Sequence, residues 1–298
     1  MSTADPALSS IARVRMSHEY TDSKMYEKLA ETVPEDSPFA GILMQLSATE
    51  QKHYGFWKKY AQDEKPKLDH LKLYWVLFLR RVLGLTFASR YLDRHENSVV
   101  NEYQTIAGLI PAEDRAAFDE MVADEQQHEQ EFARKVESAA IRYISFVVLG
   151  LADALVEISG IHAGSLGIYD RTEIAGLAGV VAGGAASLAM ASAAYAQAKQ
   201  GFQGSAKLSA VYTGVSYFVS AVFLATPYFL TSNMVFALST SLTLAVVMLA
   251  LTTYYSTVIA NKPFTKDFLE ILLILLGATV ALYVFGYAVG IETKIRVS

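Results

Sequence analysis

Two short pairs, Glu50-x-x-His53 and Glu125-x-x-His128, set the chemistry to be explained. Positions i and i+3 share a helix face, so each pair can present one carboxylate and one imidazole to a single point. The pairs belong to a longer repeat. Glu19 and Tyr26 are spaced as Glu96 and Tyr103 are, with both offsets 77 residues (96−19, 103−26), and the Glu/His pairs are offset by 75 (125−50, 128−53). Two helical hairpins would therefore each supply a lone Glu from the first helix and a Glu plus His from the second. The resulting set is Glu19, Glu50, His53, Glu96, Glu125 and His128. Four carboxylates and two imidazoles suit a pair of iron or manganese ions. Bridging carboxylates offset the mutual repulsion of two cations about 3.5–4 Å apart. Imidazole favours iron over magnesium or calcium, and carboxylate admits manganese. Without metal, such a buried cluster would repel itself and raise its own pKa values. Tyr26 and Tyr103, about two turns from the lone Glu residues, are positioned to hydrogen-bond ligands. Glu102 rivals Glu96 as a ligand, but the E-x6-Y register favours Glu96; Glu102, Glu120 and Glu129 read as solvated-face residues. Cysteine is absent, which excludes thiolate metal sites and disulfides.

The helices that carry these groups are legible from apolar periodicity and breakers. Residues 7–30 carry Glu19 and Tyr26, and residues 37–62 carry Glu50 and His53, with Ser37-Pro38 opening the second helix. Residues 68–92 contain the run Leu73-Tyr74-Trp75-Val76-Leu77-Phe78-Leu79 but are interrupted by Arg80, Arg81 and Gly84. They read as a buried or membrane-surface helix rather than a span. Residues 86–110 carry Glu96 and Tyr103, and residues 113–138 carry Glu125 and His128.

Charge divides the chain. Residues 1–142 hold 23 of the 30 acids and 18 of the 25 Lys/Arg; the remaining 156 residues hold seven of each and are overwhelmingly apolar. The expected organisation is a water-soluble domain at 1–141 followed by a membrane domain at 142–298. Five spans are expected, at about 143–168, 174–198, 208–230, 233–259 and 267–290. The first seventeen residues lack an apolar core and carry Asp5, Arg13 and Arg15, so the first domain is expected in the cytoplasm. Segments then on the inside carry five Lys/Arg and those outside carry three, in the sense of the positive-inside rule. Mild acidity and the lack of a basic stretch argue against nucleic acid as a partner.

Acids inside a span cost at least about 2.5–3.5 kcal/mol each at a helix centre. Asp153 and Glu157 nevertheless share one face of the first span, continued by Gly160 and Gly164. That face is expected to look into a pore, a cavity or a partner helix. His162 lies off it and reads as a satisfied interfacial histidine. The second span is rich in Gly and Ala, with Gly179-x-x-x-Gly183 allowing close helix contact. Met190 in the same span offers a soft thioether suited to a transition metal.

These patterns carry two resemblances. Glu19…Tyr26, Glu50-x-x-His53, Glu96…Tyr103 and Glu125-x-x-His128 resemble the ferritin-like, rubrerythrin-type bundle over residues 8–138, without the Cys-ligated iron domain of full rubrerythrins. Gly150-Leu-Ala-Asp153-Ala-Leu-Val-Glu157, the stretch from Val181 through Met190 to Lys199, Tyr212-Thr-Gly…Pro227 and Phe268-Leu-Glu270 resemble the vacuolar iron transporter family. Plant-type members of that family carry a Glu where this chain has Ala182, and a long acidic insert where only residues 200–206 stand here. The combination resembles the membrane-bound ferritin proteins of bacteria. The resemblance implies an all-α chain, a ferritin-like four-helix bundle followed by five transmembrane helices. It implies a homodimer in the bacterial inner (plasma) membrane that moves Fe²⁺, or Mn²⁺, out of the cytosol against protons. Asp153 and Met190 fall on the positions of the transporter family's path residues, Glu157 is expected to join them from the same helix face as Asp153, and a di-iron bundle would capture, sense or oxidise the metal. The alternative is a membrane-anchored di-iron oxidase or peroxide scavenger without transport. The acids at 153 and 157 discriminate, because an anchor has no need of them.

Overall fold

The computed structural model describes residues 6–34, 36–61, 64–135 and 139–293; side chains at 38, 93–101, 104, 126–135, 139–142 and 291–293 fall outside that description. Among the described residues the fold is all-α, with ten α-helices, and the chain divides into two compact units, 1–138 and 139–298.

The first unit contains α1 (Pro6–Ala30), α2 (Pro38–Lys58), α3 (His70–Leu83), α4 (Leu85–Ile106) and α5 (Arg115–Lys135). Local chemistry sets the boundaries. Ser37 caps α2 by accepting from the Phe39 amide at 3.3 Å, ahead of Pro38. Asp69 caps α3 by accepting from the Lys72 amide at 2.9 Å. Gly84, at φ 93°, separates α3 from α4 in a conformation that L side chains rarely adopt. Helices α1 and α2 form one hairpin, and α4 and α5 pack together as well as on α3 and α2 respectively.

The apolar core of this unit draws on α1, α2, α4 and α5. Trp57, Tyr103 and Phe118 pack edge to face or tilted, with ring centroids 5.7–6.1 Å apart, beside Met16 and Met121. Each of these residues stands one or two turns from a Glu or His of the repeat, Trp57 after His53 and Met121 before Glu125. The aromatic cluster therefore fixes the helix faces that carry the ligands, and burial of such rings is the largest apolar contribution available to a small bundle.

α3 is neither wholly buried nor a span. Leu73, Val76 and Leu79 are buried, whereas Leu71, Tyr74, Trp75, Phe78 and Val82 are exposed.

The second unit contains α6 (Ala139–Ile168), α7 (Thr172–Ala198), α8 (Ala206–Leu230), α9 (Met234–Ala260) and α10 (Phe264–Thr293). All five are long and apolar enough to cross a membrane, over Tyr143–Ile168, Thr172–Ala198, Ala206–Leu230, Met234–Ala260 and Phe264–Gly290. Helix α6 is central and touches the other four. Small residues make this possible. A Cβ on Gly286 of α10 would sit 2.1 Å from the Gly164 carbonyl oxygen of α6, and one on Gly183 of α7 would sit 2.5 Å from Ala221 of α8. Backbones thus approach closely where hydrocarbon provides no hydrophobic drive between helices. Gly164→Leu is expected to separate α6 from α10 and lower the thermal midpoint of the membrane unit by several degrees, read by circular dichroism in detergent.

Candidate metal centre and membrane acids

In the first unit, Glu19 from α1, Glu50 and His53 from α2 and Glu125 from α5 converge. One ligand atom from each lies within 4.8 Å of all the others, and all four residues are buried. Nδ1 of His53 stands 3.2 Å from a Glu125 oxygen, 3.5 Å from Glu50 and 3.9 Å from Glu19. The Tyr103 hydroxyl donates to Glu19 at 2.7 Å. The tyrosine of the second repeat therefore supports the lone Glu of the first, which the matched spacing allowed but did not specify. Tyr26 is buried as well. Glu96 and His128 stand on α4 and α5, but their side chains lie outside the described residues. Glu102 is exposed and pairs with Arg15 on α1, so it is not brought to the cluster.

The donor set fits a metal. Three acids and an imidazole are buried together, with the second Glu125 oxygen buried and lacking a hydrogen-bond partner among the described residues. Burial pushes the Glu19 carboxyl up to about 7, and the Glu125 charge adds to this, while His53, Glu50 and Tyr103 pull the other way. Burial alone would lower His53, but the hydrogen bond and charge of Glu125 outweigh it and raise the imidazole above its ordinary value. Metal-free, the site is thus a cluster that prefers to hold protons, and a divalent cation would take their place.

A pH dependence follows with a definite sign. Glu19 titrates in the unfolded chain near 4.5 and in the fold near 7, so the fold binds the extra proton between those values. Raised His53 acts in the same direction. Stability of the metal-free bundle should therefore fall as pH rises from about 5 to about 8, while affinity for a divalent metal rises over the same window. Tryptophan fluorescence reports this unit alone, because both tryptophans, Trp57 and Trp75, lie in it.

Asp124, not singled out from sequence, lies beside the cluster. Its carboxylate is 3.7 Å from Nε2 of His53 and is one-third exposed. A cleft of about 270 Å³ opens there, lined by Lys52, His53, Phe56, Lys59, Ala117, Glu120, Met121 and Asp124. The signal that could have found Asp124 was its adjacency to Glu125, but consecutive residues on a helix point about 100° apart and the second acid reads as solvated.

In the second unit Asp153 and Glu157 are half-buried on α6. The Tyr217 hydroxyl of α8 donates to Glu157 at 2.6 Å. Tyr217 is fully buried, and the sequence offered no spacing that linked it to an acid sixty residues away. Of the small residues continuing the acid face, Gly160 and Gly164 meet Leu282 of α10. Met190 packs half-buried against an apolar cluster that contains Leu155, Ile158 and Tyr217. His162 departs from expectation. It is fully buried rather than interfacial, its ring 4.2 Å from that of Tyr228 and its Nδ1 3.5 Å from the Ser241 hydroxyl. The reason is Gly179, whose missing side chain lets α7 close over Nε2; a Cβ there would lie 2.3 Å from it.

The bundle and its Glu/His cluster define the ferritin-like class. Within that class, residues 15–136 match the rubrerythrin family model, so the first unit carries a rubrerythrin-type di-iron domain. No curated protein and no solved structure matches the chain. The buried cluster is compatible with a di-iron site.

Proposed function

We propose that the protein moves Fe²⁺, and Mn²⁺ by the same chemistry, out of the cytosol, with the rubrerythrin domain capturing or sensing the metal on the cytoplasmic side. The observation that carries this reading is the pair of acids within α6, with Glu157 held by Tyr217 inside an apolar five-helix unit. A membrane anchor gains nothing from two acids that each oppose insertion by about 2.5–3.5 kcal/mol. An acid in low dielectric binds either a proton or a cation, so exchange of the two across the membrane is the natural coupling. Asp153 and Glu157 would take the metal from water, and Met190 on α7 would offer a softer contact along the path. Tyr217 would keep the Glu157 carboxylate in one orientation without neutralising it.

In the bundle, Glu19, Glu50, His53 and Glu125 would hold metal, with Glu96 and His128 completing the set. A bound iron pair would supply redox chemistry toward oxygen or peroxide. The chain's own contributions are distinct from that chemistry. The carboxylates release protons as metal enters, Tyr103 orients Glu19, and the Trp57–Phe118 cluster keeps water from one side of the site. Asp124, at the mouth of the cleft, would hand ions to His53. Asp124→Asn is expected to slow iron loading several-fold in stopped-flow measurements while leaving the amount bound at equilibrium unchanged. A dimer in the cytoplasmic (plasma) membrane, with the bundle in the cytosol, is part of the same reading. Fe²⁺ uptake into sealed vesicles carrying the bundle outward tests it. Asp153→Ala should abolish uptake and leave iron binding by the bundle intact, and unchanged uptake would remove Asp153 from the path.

A further inference from the structure

The outer face of α3 is built for an apolar neighbour that the described residues of the first unit do not provide. Leu71, Tyr74, Trp75, Phe78 and Val82 follow the i, i+3, i+4, i+7, i+11 pattern of one helix face, and they are between 48% and 82% exposed. The helix cannot roll to hide them, because polar contacts fasten it to α1 at its start and to the turn after α1 at its end. Near its start, Lys72 pairs with Asp22 at 2.7 Å and the Asp69 amide donates to Thr21 at 3.2 Å. Near its end, Arg80 donates to the Thr32 hydroxyl at 3.1 Å and to the Thr32 carbonyl at 3.3 Å. Leu73, Val76 and Leu79 meanwhile fill the inner side. The structure spends its anchoring contacts on holding an aromatic stripe outward.

We infer that this face of α3 lies in the headgroup region of the bilayer, docking the rubrerythrin domain on the membrane surface. Three observations favour lipid over another protein surface. Tyr74 and Trp75 are the side chains that prefer the membrane–water interface, with an apolar ring and a polar edge. α3 contains no acid and carries exposed Arg81 beside the stripe, while in the segment before it exposed Lys65 and Lys67 stand with Glu64, which is paired to Arg13, and the capping Asp69. The face itself therefore presents positive charge and none negative to anionic headgroups. The tether is short: the chain from Lys135, where α5 ends, to Tyr143, where the first candidate span begins, can reach at most about 30 Å. A bundle so confined meets the bilayer at high effective concentration, and weak interfacial affinity suffices. The inference concerns where the bundle rests and does not depend on metal transport.

The chain provides its own probes. Trp57 is buried in the bundle core and Trp75 is on the stripe, and there is no other tryptophan and no cysteine. In the full-length Trp57→Phe variant, reconstituted in vesicles containing anionic lipid, Trp75 emission should fall by about half or more when the acyl chains are brominated near the headgroup. It should also resist quenching by acrylamide. Emission indifferent to brominated lipid overturns the inference, whether acrylamide quenches it (the face is in water) or does not (a second copy or another segment covers it). A second reading leaves Trp57 in place: a spin label on Phe78→Cys should be relaxed more by oxygen than by a water-soluble nickel chelate. The opposite order overturns docking.

Discussion

Glu125→Gln is expected to stabilise the metal-free bundle and to abolish its stabilisation by iron. The two signs together separate a metal centre from a structural polar cluster. Glu125 is buried, raises the Glu19 pKa by its charge, and places one oxygen 3.2 Å from His53. Removing its charge relieves repulsion among buried carboxylates, worth about 1 kcal/mol or somewhat more in the metal-free protein, as is common where sites trade stability for function. A wild-type bundle in iron at a hundredfold excess over Kd should gain about 2.7 kcal/mol, and the variant should gain almost none. Tryptophan fluorescence during thermal unfolding of the full chain reads both effects. A structural cluster would give the reverse pattern, with the variant destabilised and iron without influence.

The second large effect lies in the membrane unit. Asp153→Asn should reduce Fe²⁺ uptake into vesicles at least tenfold without lowering the thermal midpoint, because a neutral amide of the same shape is no costlier to place in a span than a chargeable acid. Glu157 and Tyr217 divide the roles of charge and hydrogen bond. Glu157→Gln keeps an oxygen that can accept from Tyr217 but has no charge, and Tyr217→Phe keeps the charge but loses the 2.6 Å bond. Uptake should fail in the first and survive, slowed, in the second. Equal loss in both would make Glu157 a packing residue bonded to Tyr217, with no part in carrying the ion.

Much of the architecture was written in local pattern. The all-α fold and five apolar helices follow from periodicity and length, and the matched offsets Glu19/Glu96, Glu50/Glu125 and His53/His128 pointed to a ligand set of which the structure brings Glu19, Glu50, His53 and Glu125 together. What the pattern lacked was knowledge of which faces meet. Tyr217 looks like any apolar-span tyrosine until α8 packs on α6. His162 looked interfacial because a lone imidazole in a span has that default, yet Gly179 on α7 allows it to be sealed in. Asp124 carried no distinguishing signal in the sequence, and its 3.7 Å approach to Nε2 of His53 distinguishes it from Glu120, which lines the same cleft. The stretch at 68–92 was ambiguous because its apolar run serves two surfaces. One side of α3 packs into the bundle, the other does not, and Gly84 cuts the helix before it could span anything.

The direct test of the two-part reading is metal accumulation by the purified full chain in sealed liposomes, with the bundle facing outward and an acid interior. Fe²⁺ should accumulate inside, the interior should lose protons as it does so, and Asp153→Asn should stop both while the bundle still binds iron. Wild-type protein that binds iron through its bundle and accumulates none would contradict transport, and would leave a membrane-anchored di-iron protein in its place.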